Sequence, residues 1–217
     1  MADDRRDDGA AEVYVTNLNP RFTGVSATAA AVLAAQGRDL KAVLVGYPLP
    51  GCPAPMTRRQ ALALARVPPA GRAFSIWHVR RNPEMQLALF ARDVLRLPVR
   101  IVFTSAAQRR HSAWPRWLIS RMDAVIATTE AAAGFVPGVR AVVPHGVDVE
   151  RFAPAADRAA AWAATGFPGD YGILTVGRIR PEKGTDLFVQ AMMRALPRLP
   201  GAVAVVALGL GVGGVTG

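Results

Sequence analysis

Short apolar runs alternate with helix-patterned stretches along nearly the whole chain, and that alternation is the signature of an α/β fold with a parallel sheet. "EVYVTNL" (12–18), "DLKAVLVG" (39–46), "AFSIWHV" (73–79), "VRIVFTS" (99–105) and "DAVIATT" (123–129) read as strands. The segments between them read as helices: "SATAAAVLAAQG" (26–37), "TRRQALALARV" (57–67), about Glu84–Arg96, and Trp114–Met122. Ser26 is the expected N-cap of the first helix and Gly37 its stop. "AVVPHG" (141–146) closes this half. A second series opens with "YGILTVG" (171–177), continues through the helix "TDLFVQAMMRAL" and reaches a strand "AVAVVALG" (202–209).

The expected organisation is therefore a disordered acidic tail over 1–11 and a Rossmann-like domain over 12–146. A linker with a short helix follows over 147–170, then the start of a second Rossmann-like domain over 171–217. One β-α-β unit buries too little apolar surface to offset its ordering entropy, so residues beyond about 170 are expected to be marginally stable alone.

Charge narrows the partners. Between Arg58 and Arg121 stand 13 arginines, no lysine and only two acids, Glu84 and Asp93. Such a field attracts phosphate-bearing partners or an anionic membrane surface, although arginine stems also coat helices simply to cover apolar neighbours. No RNP-like aromatic pattern or other nucleic-acid motif accompanies it, so no nucleic acid is expected. The lone Cys52 leaves no internal disulfide and no cysteine cluster. "MADDRRDDGAAE" lacks an apolar h-region, and no long uncharged run suggests a membrane span, which points to the cytoplasm.

Ligands of open α/β sheets bind outside the carboxyl ends of the strands. After the first strand, "NPRFTGVSAT" (19–28) offers Gly24 and a helix start, either an anion site or a plain turn; G-x-G-x-x-G is absent. After the third, "IWHVRRNPEMQ" (76–86) gathers His78, Arg80, Arg81, Asn82 and Glu84, although His78 also suits a satisfied interior and Glu84 a helix start. After the fourth come Thr104, Ser105, Gln108, Arg109, Arg110 and His111. His78 and His111 lack the spacing of a helical zinc pair and have no third ligand, so no metal is expected. In the second series, Gly177 ends a strand, Arg178 and Lys183 supply two cations, and Gly184-Thr185 open a helix. That set suits a diphosphate, and it is not a Walker A loop.

With these pieces placed, "VPHGVDVERF" (143–152) followed by "LTVGRIRPEKGTDLFVQAM" resembles the interdomain junction and donor-phosphate loop of family 4 glycosyltransferases, which have the GT-B fold. "IWHVRRNPEMQ" and "IVFTSAAQRRHSAWPRWLISRMDAVIATT" resemble the lipopolysaccharide core mannosyltransferases within that family. The resemblance covers about residues 12–207. It implies a retaining transfer of mannose from GDP-mannose to a lipid-linked inner-core acceptor, with no cofactor besides that nucleotide-sugar co-substrate. The enzyme would work in the cytoplasm, peripheral to the inner membrane.

By the same resemblance His78, Arg178 and Lys183 take catalytic positions, and Gly24, Gly177, Arg178, Lys183 and Gly184 hold the donor. Arg80, Arg81, Asn82, Arg109, Arg110 and His111 face the acceptor. Relatives place a histidine directly after the fourth strand, where this chain has Ser105-Ala106. The family's Glu-x7-Glu motif would lie beyond Gly217, and "ALGLGVGGVTG" (207–217) has no counterpart in the family, so the chain is expected to break off inside its second domain. The competing expectation is a non-catalytic remnant that binds anionic glycolipid or membrane through its arginine-rich half.

Overall fold

The computed structural model describes residues 10–150, 152–177, 179 and 181–208. Most of the expected acidic tail, Arg178 and the Gly/Val-rich end fall outside them. The chain forms two compact units that divide between Gly146 and Val147.

The first unit is built on six parallel strands: β1 (Val13–Asn17), β2 (Ala42–Gly46), β3 (Ser75–Val79), β4 (Val99–Ser105), β5 (Ala124–Ala127) and β6 (Val139–Val142), in the spatial order β2-β1-β3-β4-β5-β6. Because β1 has a hydrogen-bonded neighbour on each side, all five of its residues are buried. Successive side chains of a strand point to opposite faces, and β1 serves two cores accordingly. Val13 and Val15 pack with Leu44 and with Ala29 and Leu33 of helix α1 (Gly24–Gln36). Tyr14 joins Trp77, Val79, Ile101 and Phe103 in the larger core, closed by Ala61 of α2 (Arg58–Leu64), by Met85 and Ala88 of α3 (Asn82–Leu89), and by Leu118 and Ile119 of α4 (Ala113–Ser120). Ala11, placed in the tail by the sequence, is fully buried in that core.

Other local expectations shift for identifiable reasons. Thr23, not Ser26, caps α1: its backbone is extended, and its hydroxyl accepts from the Ser26 amide at 3.4 Å. The helix expected from Glu84 starts two residues earlier. Its continuation over Phe90–Val94 winds as a π-helix, which carries Arg92 to Asp123 (2.7 Å). A single-turn helix α5 (Glu130–Ala133), capped by Thr129, was too short to leave a periodic signal.

The second unit holds α6 (Arg158–Ala163) and the parallel pair β7 (Tyr171–Gly177) and β8 (Ala202–Leu208), joined through α7 (Thr185–Ala195). The pairing runs in register from Tyr171 opposite Ala202 to Gly177 opposite Leu208. The fold class is that expected: a Rossmann-like domain with a parallel sheet, then a β-α-β unit of a second series. Among the described residues no helix is long and apolar enough to cross a membrane.

Candidate functional site at the switch point of the sheet

In the order β2-β1-β3, the connection leaving β1 runs to one side while β3 lies on the other. The loops above β1 and β3 therefore diverge from a topological switch point, and the carboxyl ends of these strands are where sheets of this kind place a ligand crevice. The residues there are polar although the strands beneath are apolar: Thr16 and Asn17 end β1, His78 stands near the end of β3, and Arg80 directly follows it. All four are buried.

Glu84 organises the crevice. It is fully buried and accepts from the amides of Leu18 (3.2 Å), Arg80 (2.8 Å) and Arg81 (3.1 Å), and from Arg81 Nη1 (3.0 Å). A buried carboxylate is tolerable only when its lone pairs are filled in this way. It thereby ties the β1–α1 loop to the β3–α3 loop.

Arg81 completes the tie. Its guanidinium donates to Asn17 Oδ1 (3.0 Å), Glu84 Oε1 (3.0 Å), Thr23 Oγ1 (3.0 Å) and Ser26 Oγ (2.9 Å). Four of the five N–H groups an arginine owns are thus spent inside the protein. This reassigns Arg81 from an acceptor contact to a strut that positions the loop.

His78 and Arg80 form the second cluster. Arg80 Nη2 lies 3.3 Å from His78 Nδ1, and His78 Nε2 lies 2.7 Å from Thr104 Oγ1. An arginine has only donors, so Nδ1 is the accepting nitrogen and Nε2–H faces the threonine hydroxyl. Burial, reinforced by the Arg80 charge, pushes the histidine down to about 3. At neutral pH His78 is an uncharged ring with both nitrogens engaged. In that state it supports Arg80. Burial also lowers Arg80, to about 10, which leaves it charged at neutral pH.

The other expected residues are more dispersed. Asn82 opens α3 and is half-buried. Gly24 is the first residue of α1, with nothing within 4 Å of where a Cβ would stand. Arg109 and Arg110 are exposed in the loop after β4, and His111 beside them is half-buried with its Nε2 enclosed. In the second unit, Gly177 ends β7 and Lys183 is exposed. Gly184 caps α7 in the left-handed region (φ 67°), a conformation that favours glycine there. Arg178 lies outside the described residues. Among those residues no group of three potential metal ligands occurs.

Asn17 and Thr23 escaped the sequence reading. The signal was available at Asn17: "VYVTN" is a fully buried strand that turns polar at its carboxyl end.

The fold and these residues define a Rossmann-like α/β protein with its polar groups gathered at the sheet's switch point. No family model matches the chain. It is 43% identical over 188 residues to the lipopolysaccharide core biosynthesis mannosyltransferase LpcC of Rhizobium leguminosarum bv. viciae, covering 86% of this chain and 53% of that protein. It is 42% identical over 200 residues to the lipopolysaccharide core biosynthesis mannosyltransferase LpsB of Rhizobium meliloti, covering 90% and 56% respectively. The chain thus spans about half the length of the curated relatives it matches, and the resemblance to lipopolysaccharide core mannosyltransferases read from its motifs is borne out. Among solved structures it is similar to Anabaena Alr3699/HepE in complex with UDP and glucose, with a TM-score of 0.64 over 90% of this chain and 60% of that one. At 12% identity that likeness is one of fold.

Proposed function

We propose that this chain carries the acceptor-side domain, and the opening of the donor-side domain, of a retaining glycosyltransferase of family 4. The reaction would move mannose from GDP-mannose to a lipid-linked inner-core sugar of lipopolysaccharide. The observation that carries the reading is 42–43% identity, over 86–90% of the chain, to two mannosyltransferases of that pathway.

In this reading Arg178 and Lys183 neutralise the donor diphosphate beside the start of α7, so that charge growing on the leaving nucleotide meets fixed positive groups. Gly177 and Gly184 shape the loop they occupy, and Gly24 leaves α1's first turn open to the ligand. Arg80 and Asn82 face the acceptor, with His78 orienting Arg80, while Arg109, Arg110 and His111 line the approach over β4. The account needs no metal.

The lipid-linked acceptor implies peripheral work at the cytoplasmic face of the inner membrane. One surface favours such contact: Trp114 and Trp117 on α4 are each about half exposed and stack at 5.1 Å, with the exposed Arg116 between them in sequence. Tryptophan and arginine together suit the headgroup layer of an anionic bilayer. The same surface supports a second reading, a non-catalytic glycolipid- or membrane-binding protein.

A transfer assay separates the two. Acceptor-dependent release of GDP from GDP-mannose, with label passing into the lipid fraction, is the result expected for the enzyme. Liposome binding without any GDP release or label transfer would leave the second reading.

A further inference from the structure

Arg80 is under-bonded for a buried cation. Only 9% of its surface is exposed; among the described residues Nε and Nη1, both shut off from solvent, have no acceptor, and Nη2 meets only the neutral His78 ring. The nearby buried Glu84 carboxylate attracts the cation but takes no hydrogen bond from its side chain among the described contacts. Glu84 pairs through its side chain with Arg81, and both its oxygens are already filled by that guanidinium and three backbone amides. Two guanidinium groups and one carboxylate thus share the crevice, a surplus of one positive charge in a place where charge is costly to hold. Buried polar groups are nearly always satisfied, so two orphaned N–H donors on one cation mark either a ligand or a lodged water.

The geometry points to a built receptor: we propose that the Arg80 guanidinium binds an oxyanion, a carboxylate or phosphoryl group, on the molecule that enters the switch-point crevice. Nε–H and Nη1–H, the two donors without a partner among the described residues, lie on different edges of the guanidinium, and each offers an oxyanion a charge-assisted hydrogen bond. The supports are in place for that task. His78 accepts from Nη2 and is itself held by Thr104 at 2.7 Å, which fixes the plane of the guanidinium. The Arg80 amide is pinned by Glu84, and Arg81 next to it is locked into the loop, so the two adjacent arginines divide the work between support and recognition. That the anion belongs to a sugar acceptor rests on the reading above. That Arg80 takes an oxyanion does not.

The test follows the Arg80 side chain directly, in the full 217-residue chain labelled with 15N-arginine. Its Nε–H resonance, identified by its loss in Arg80→Met, is recorded during titration with sodium acetate, sodium phosphate, and sodium chloride at matched ionic strength. The expected result is a saturable shift with at least one oxyanion and none with chloride. A response to acetate assigns a carboxylate ligand, and a response to phosphate alone assigns a phosphoryl group. In chloride alone, Arg80→Met should melt at a higher temperature than the wild type, because an apolar side chain of similar length removes an uncompensated charge. No shift with either oxyanion, or a variant that melts lower, would overturn the proposal and leave a hydrated structural arginine. Donor binding is measured separately with GDP-mannose, so this failure and a failure of the glycosyltransferase reading are distinguishable.

Discussion

Replacing Glu84 by glutamine tests how the crevice is built, since the change keeps shape and removes one acceptor oxygen and the charge. One carboxylate oxygen receives the amides of Arg80 and Arg81, at 2.8 and 3.1 Å; the other receives the Leu18 amide and Arg81 Nη1, at 3.2 and 3.0 Å. Whichever way the new amide turns, its NH2 faces two donors and leaves both unpaired. An orphaned buried donor costs about 1–3 kcal/mol, giving about 2–6 kcal/mol for the two. The lost charge adds to this, because Arg81 is only 17% exposed and its remaining partners are neutral. Breaking a buried pair by removing one partner typically costs about 3–5 kcal/mol, so a loss of about 4 kcal/mol is expected. For a unit of this size that lowers the melting temperature by roughly 10 °C. Urea and thermal denaturation of Glu84→Gln beside the wild type provide the measurement. A loss under about 1 kcal/mol would refute the claim that Glu84 bridges the two loops.

The remaining expectations concern protonation and the membrane. His78 is held near 3 in the folded chain against an ordinary value of 6.5, so the unfolded chain binds the extra proton between those limits. Stability from this group is complete above about pH 6.5 and falls as the pH drops toward 3. In His78→Gln that part of the pH dependence should disappear, and an unchanged denaturation profile across pH 4–7 would contradict the neutral, buried ring. For the α4 surface, Trp114→Ala with Trp117→Ala should reduce flotation with anionic liposomes several-fold, and Arg109, Arg110 and Arg116 changed together to glutamine should do so in a salt-dependent manner. Flotation identical to the wild type in both variants would remove the membrane contact.

Much of this architecture is legible from pattern alone. The strand-helix alternation locates all five strands expected in the first unit and both in the second, because each is a short apolar run between helix-patterned stretches. The spatial order of the strands is not readable in this way, and with it goes the knowledge that β1 and β3 flank the crevice. Arg80 and Arg81 show why a site reads less well than a fold. They are identical residues side by side in a sequence cluster, yet Arg81 takes an extended backbone as the N-cap of α3 and turns toward Asn17 and Thr23. Arg80 instead turns toward His78. Consecutive side chains on extended backbone diverge, so their separate roles depend on which loops stand on either side. The cap of α1 was misplaced at Ser26 for a related reason: Thr23 is an equally good cap by residue type, and only the backbone dihedrals decide.

The measurement that tests the central claim most directly is calorimetric titration of the chain with GDP-mannose and with GDP, beside a variant carrying Arg178→Ala and Lys183→Ala. Saturable binding of both ligands to the wild type, lost in the variant, is the result this account predicts. Absence of heat with either ligand in the wild type would contradict a functioning donor-phosphate loop at the start of the second unit.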